Sequence, residues 1–177
     1  MNELGAMTAD GRLEFVRVFR TTADRLWSYL VEDEHRRKWI CGGDVEPRVG
    51  GKIVFDFDHS RLSSTPPPAS HADEGCVSFD GEVLAYDRPR HLAFSWPEAE
   101  PGKSTRVSIT LKPVAEGTEL HLIHENIDVE SQKLSIAAGW HTHLDLLGDL
   151  LDGRATRDFW VRHTETEALY SSELASA

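Results

Sequence analysis

Hydrophobic and polar positions change period several times along this chain, and the changes mark out its elements. "RLEFVRVFR", residues 12–20, sets Leu13, Phe15 and Val18 among charges, the near-alternation of a half-buried strand. At "TTADRLWSYLV" the repeat lengthens. Ala23, Leu26, Trp27 and Leu30 recur at helical spacing, and Thr21 with Asp24 three residues later resembles a capping box. "DEHRRKWI" predicts a second short helix anchored by Trp39, and the four glycines and one proline of "CGGDVEPRVGG" end the helical pattern. Strands then follow in series: "KIVFDFD" with Ile53, Phe55 and Phe57 in phase, "VSFDGEVLAYD", "RHLAFSW" with Leu92, Phe94 and Trp96, "TRVSITLKPV" with Val107, Ile109 and Leu111, and "TELHLIHEN" with Leu120 and Leu122. The short turns "YDRPR" and "VAEGT" predict antiparallel neighbours. From about Lys133 to Leu151 the residues Ile136, Trp140, Leu144, Leu147 and Leu151 make one apolar helical face, with Gly153 as its C-cap.

Three segments stand outside this pattern. Residues 1–11 read as a loose leader. The insertion "HSRLSSTPPPASHADEG", 59–75, carries three prolines and many small polar residues and reads as a mobile surface loop. "DFWVRHTETEALY", in the extension 153–177, is weakly helical and is expected to pack on the body or on a second subunit. The chain of 177 residues is the size of one domain, read here as 1–177. One curved antiparallel sheet needs its apolar face covered, and the long helix is the element that can cover it. The pattern therefore predicts an α+β fold: a sheet wrapped around a C-terminal helix, with an internal cavity wherever bulky side chains do not fill the space.

Charge narrows the list of partners. Thirty acidic against nineteen basic residues give a net charge of −11, which argues against nucleic acid and against anionic membrane surfaces. Cys41 and Cys76 cannot build a disulfide framework. Neither a signal-peptide pattern nor a membrane-spanning apolar run is visible, so a cytoplasmic protein is expected.

The blocks "VFRTTADRLWSYLVEDEHRRKWI", "DVEPRVGGKIVFDF", "GEVLAYDRPRHLAFSW", "TRVSITLKPVAEGTELHLIHENI" and "AAGWHTHLDLLGDLL" resemble, in order, those of the START-like (SRPBCC) superfamily. More narrowly they resemble its AHSA-type branch, named for the activator of the ninety-kilodalton heat-shock protein's ATPase. The resemblance covers about residues 13–152. It implies a helix-grip fold with a hydrophobic cavity, and often a homodimer. It does not imply one function, since members include carriers, polyketide cyclases, self-sacrificing resistance proteins and chaperone regulators acting in stress responses. The Pro-rich insertion departs from the pattern.

Strand phase selects the candidate chemistry. If Leu120 and Leu122 face the helix, so does His124. If Leu84 and Tyr86 do, so does Glu82. On the long helix His143 shares the face of Trp140 and Leu147, whereas His141 lies about 100° away, at the rim. Glu82, His124 and His143 are thus the candidates for acid–base catalysis inside a dry pocket. Trp39, Phe55, Phe57, Phe94 and Trp140, with Glu82, His124 and His143, are the candidates for lining it. No metal site is expected: His59, His71, Asp73, Glu74 and Cys76 gather around the insertion without a ligand motif, and His141 and His143 diverge by about 200° on a helix. No nucleophile elbow, Walker loop or dinucleotide-binding glycine motif occurs, so no cofactor is expected. The reading that follows is binding of a small hydrophobic or aromatic molecule without transformation. The alternatives are a cyclase- or hydrolase-like enzyme using Glu82 and His124, and an interaction module regulating a chaperone.

Overall fold

The computed structural model describes residues 4–8, 10–96, 104–127 and 130–176, the side chains of 130–132 and 173–176 apart. Strands β1 (Ala6–Met7), β2 (Leu13–Phe19), β3 (Lys52–Phe57), β4 (Val77–Asp87), β5 (His91–Trp96), β6 (Thr105–Val114) and β7 (Gly117–Glu125) form one antiparallel sheet, ordered β1-β2-β7-β6-β5-β4-β3. Helices α1 (Ala23–Val31) and α2 (Asp33–Arg36) connect β2 to β3. The long helix α3 (Glu130–Leu151) and α4 (Phe159–Ser176) follow the sheet. This is the α+β architecture that the alternation pattern predicts.

Period two explains most of the inner face. Leu13 and Phe15 on β2, Ile53 and Phe55 on β3, Val107, Ile109 and Leu111 on β6, and Leu120, Leu122 and His124 on β7 are all buried. The register sets His124 opposite both Leu13 and Val107, in the middle of the sheet. Three local expectations change. On β2 the buried residue near the end is Phe19 rather than Val18. The helix α1 is capped by Thr22, whose hydroxyl accepts from the Arg25 amide at 3.3 Å, rather than by Thr21. Part of the leader is structured: Ala6–Met7 pairs with β2, and the Gly5 amide donates to the Tyr170 hydroxyl at 2.7 Å.

The larger differences concern α3 and its cover. Burial extends around α3 well beyond the single stripe read from the sequence. Ala137, Ala138, Trp140, Leu144 and Leu147 are buried, and so are His141, Thr142 and Asp149 on the opposite side. A polar side chain buried this way needs a partner, because an unmade hydrogen bond costs about 1–3 kcal/mol. Helix α4 and the segment before it supply those partners. Arg157 grips Asp149 with two nitrogens at 2.8 and 3.0 Å, Arg162 holds Asp145 at 2.7 Å, Thr166 meets Thr142 at 3.0 Å, and the Tyr170 hydroxyl meets His141 at 3.0 Å. His141 is 2% exposed, so it is interior and not rim. The turn after α3 closes through Gly153 at φ +69°, with Arg154 N–H donating to Asp149 O and Gly153 N–H to Leu150 O.

The insertion is fastened to the same cover. Asp158 is the N-cap of α4, accepting from the Val161 amide at 3.2 Å. The same carboxylate receives Ser63 Oγ at 2.6 Å and the Ser64 and Thr65 amides at 2.8 and 3.1 Å. Phe159 N–H also donates to Leu62 O at 3.0 Å. Burial opposes the charge on Asp158, but these donors outweigh it and hold the carboxyl well below the usual range. The composition of 59–75 gave no sign of a fixed position because the fixing group lies outside it, at the start of α4. Asp158→Ala therefore removes a helix cap and the loop's anchor together. Urea unfolding should register a loss of at least about 1–2 kcal/mol, and limited proteolysis should cut first within 59–75. An unchanged midpoint and cleavage pattern would contradict this reading of Asp158.

Candidate functional site

Between α3 and the sheet lies a cavity of about 180 Å³. The sheet contributes Phe57 and Trp96, α3 contributes Ser135, Ile136, Gly139, Trp140 and His143, and Ile40 follows α2. The far end is closed by the cover, through His59 and Glu74 of the insertion and Phe159 and His163 of α4. The walls are aromatic and mutually packed. Trp96 and Trp140 have ring centroids 5.4 Å apart, Phe57 and Trp96 6.0 Å, and the His59 ring stacks on Phe159 at 4.2 Å. Gly139 matters by what it lacks: a Cβ placed there would meet no atom within 4 Å.

Of the residues expected to line the space, Phe57, Trp140 and His143 do so. Trp39, Phe55, Phe94 and His124 are buried in the core and do not reach it. Trp39 spends its indole N–H on Tyr29 O at 2.8 Å, and Phe55 packs against Phe79, Phe94 and Trp96. Residues from distant segments, notably His59, Trp96, Phe159 and His163, complete the wall. Trp96 was recognisable from its phase with Leu92 and Phe94. The other three reach the cavity through the cover, which strand and helix periods do not predict.

Glu82 points to solvent. The expectation that it faces the helix rested on unbroken alternation from Tyr86 back through Leu84. The register shifts between Val83 and Ala85, a bulge that breaks the alternation. Tyr86 packs edge-on to Trp27 at 5.2 Å while Val83, not Leu84, is buried. The acid–base pairing of Glu82 with His124 or His143 is thereby corrected: the carboxylate is on the other face.

The two histidines are interior and hydrogen-bonded within the protein. Trp140 Nε1–H donates to His124 Nδ1 at 3.1 Å, which leaves His124 Nε2–H to donate to Thr105 Oγ1 at 2.8 Å. Both nitrogens of the neutral ring are thus engaged. His143 Nδ1–H donates to Trp39 O at 2.7 Å and presents the remainder of its ring to the cavity. Burial pushes His124 down to about 4. Burial first, then the neighbouring His59, pushes His143 down to about 3. His59 is itself brought to about 4 by burial. All three rings are neutral near pH 7. His59 and His143, which line the cavity, give it hydrogen-bonding capacity without charge, whereas His124 does not reach the wall.

Residues 20–152 match the family model described as Activator of Hsp90 ATPase homolog 1-like protein. Among solved structures, a protein of Bordetella parapertussis encoded by gene BPP1335 is 26% identical, with 93% of this chain and 86% of that one covered at a TM-score of 0.80. CalU16 from Micromonospora echinospora is 18% identical, covering 96% of this chain and 93% of that one at a TM-score of 0.66. EF2215 of Enterococcus faecalis, a conserved protein of unknown function, is 18% identical, covering 99% of this chain and 92% of that one at a TM-score of 0.68. None of the curated proteins compared matches the chain. Among the described residues, no helix is long and apolar enough to cross a membrane.

The buried rings make stability depend on pH in a defined direction. An unfolded histidine takes up its proton near 6.5, whereas folded His124 and His143 resist until about 4 and 3. Their contribution is full above about pH 6.5 and is lost as pH falls toward 4, by about 1.4 kcal/mol per pH unit for each ring. Urea unfolding at pH 7.5, 5.5 and 4.5 should show this slope, and His124→Gln should reduce it. A flat profile over that range would mean the rings are not held neutral.

Proposed function

We propose that this chain, which belongs to the Activator of Hsp90 ATPase homolog 1-like family of the SRPBCC superfamily, holds one compact aromatic molecule in the cavity between α3 and the sheet without transforming it. The aromatic cavity wall is the observation that carries this reading. Phe57, Trp96, Trp140 and Phe159 provide ring faces, and neutral His59 and His143 provide a few directed polar contacts, the usual composition of a small-molecule site. Size favours a narrow class of ligand. About 180 Å³ falls below the roughly 300–1,000 Å³ of drug-sized pockets and just above the ~150 Å³ of an engineered cavity that accepts benzene. One or two fused rings fit this volume and an extended lipid chain does not. The absence of Glu82 from the wall leaves the binding reading ahead of the cyclase- or hydrolase-like one.

Gly139 is the position that distinguishes ligand binding from a mere packing gap. Glycine inside a helix costs roughly 0.5–1 kcal/mol relative to alanine, and here the missing side chain leaves open space. Gly139→Ala should raise the melting temperature. Gly139→Leu should preserve the fold while occupying the cavity. In a thermal-shift series, indole or a naphthol at a hundred times Kd should stabilise the native protein by about 2.7 kcal/mol, roughly 5–10 °C, whereas a long-chain fatty acid should not. Gly139→Leu should abolish that shift. If no compact ring compound stabilises the protein, or if Gly139→Leu binds such a compound as well as the native chain does, the proposal fails.

A further inference from the structure

Beside the cavity, on the side of the cover, a second cluster brings together His71 of the insertion with His163 and Glu167 of α4. One ligating atom of each lies within 4.8 Å of the others. His71 and Glu167 are 96 residues apart in sequence, so no local motif announces the cluster. His163 and Glu167 are one helical turn apart and share a face, the spacing that lets two side chains on a helix converge on one ion.

The His71 ring lies between two carboxylates. Glu74 Oε1 lies 2.7 Å from His71 Nδ1 and orients the ring so that Nε2 is aimed at Glu167 Oε1, 2.9 Å away. A carboxylate on the far nitrogen is the usual outer partner of a metal-bound histidine, fixing its tautomer and direction. Burial lowers the pKa of this ring, and Glu74 and Glu167 more than offset that, so the position at Nε2 favours positive charge, carried by a proton or by a metal ion that replaces it. His163 Nδ1 supplies an independent observation. It is buried on a residue only 4% exposed, has no hydrogen-bond partner, and lies 3.8 Å from Glu167 Oε2. An unsatisfied buried nitrogen is uncommon and calls for an explanation. In a tetrahedral zinc site the ligand atoms stand about 3.3 Å apart, so the present separations need only small side-chain rotations.

We propose that His71 Nε2, His163 Nδ1 and a Glu167 carboxylate oxygen bind one divalent transition-metal ion, with zinc the best match, and that Glu74 is the positioning residue for His71. Two imidazoles and one carboxylate suit zinc and neighbouring ions, and such a set leaves at least one coordination position unfilled by protein. Glu74 and His163 also line the cavity, so an exchangeable ligand on the ion comes from that side. The ion would clamp the insertion to α4. This assignment does not depend on the aromatic-ligand reading, and it can stand if that reading fails.

The test uses untagged full-length protein stripped with a chelator. Zinc alone, titrated in competition with a chromophoric chelator, should bind at one equivalent. Glu167→Gln and His163→Gln should each weaken binding at least a hundredfold, Glu74→Gln about tenfold, and His91→Gln not at all. Because a core variant can fail to fold, the native chain carries a parallel test: one equivalent of cobalt(II) should broaden the ring signals of His71 and His163 in the NMR spectrum before those of His91 and His121. Less than stoichiometric binding, equal affinity in Glu167→Gln and His163→Gln, or broadening that begins at other histidines would overturn the proposal.

Discussion

The outer face of α3 is the constraint around which this molecule is arranged. His141, Thr142, Asp145 and Asp149 lie on it, and a carboxylate removed from water without a partner is among the most costly arrangements a protein can adopt. Asp149 is 4% exposed, and Arg157 meets it with a two-nitrogen grip. Burial works against its charge, and the Arg157 hydrogen bonds more than offset that, so the carboxyl is held below its ordinary range. Helix α4 is thus a requirement of α3's sequence. Its own buried positions, Phe159, Trp160, His163, Thr166 and Tyr170, follow helical spacing along the face turned to α3.

From that requirement the cavity follows. A helix laid on one face of a sheet leaves its ends open, and here the cover closes one of them. Asp158 starts α4 and simultaneously ties Ser63, Ser64 and Thr65 of the insertion, which brings His59 onto Phe159 and His71 onto Glu167. The family-wide part of the fold, residues 20–152, builds the grip. Residues 59–75, within that span, and the helix α4 beyond it build the lid and the second cluster of histidines.

The sequence made the sheet legible because period-two alternation is a local property, and β3, β6 and β7 each carry it. It made α3 legible through Ile136, Trp140, Leu144, Leu147 and Leu151. It was silent on the bulge between Val83 and Ala85, since one extra residue leaves no compositional trace yet turns Glu82 to solvent. It also understated α4. Two of that helix's five buried positions among the described residues are His163 and Thr166, polar types that become interior only when a partner such as Thr142 or His71 stands opposite. The place of His71 could not be read either, because proline-rich composition describes what a segment cannot do alone and not what a distant carboxylate can do for it.

If the cover is one structural unit, the insertion and α4 should open together. Native-state hydrogen exchange followed residue by residue measures this directly. The account predicts that protected amides in 59–75 and in α4 exchange with a common opening free energy, lower than that of α3 and the central strands β6 and β7. Free exchange throughout 59–75 while α4 stays protected would contradict it, because the loop would then be an ornament on the lid and not part of it.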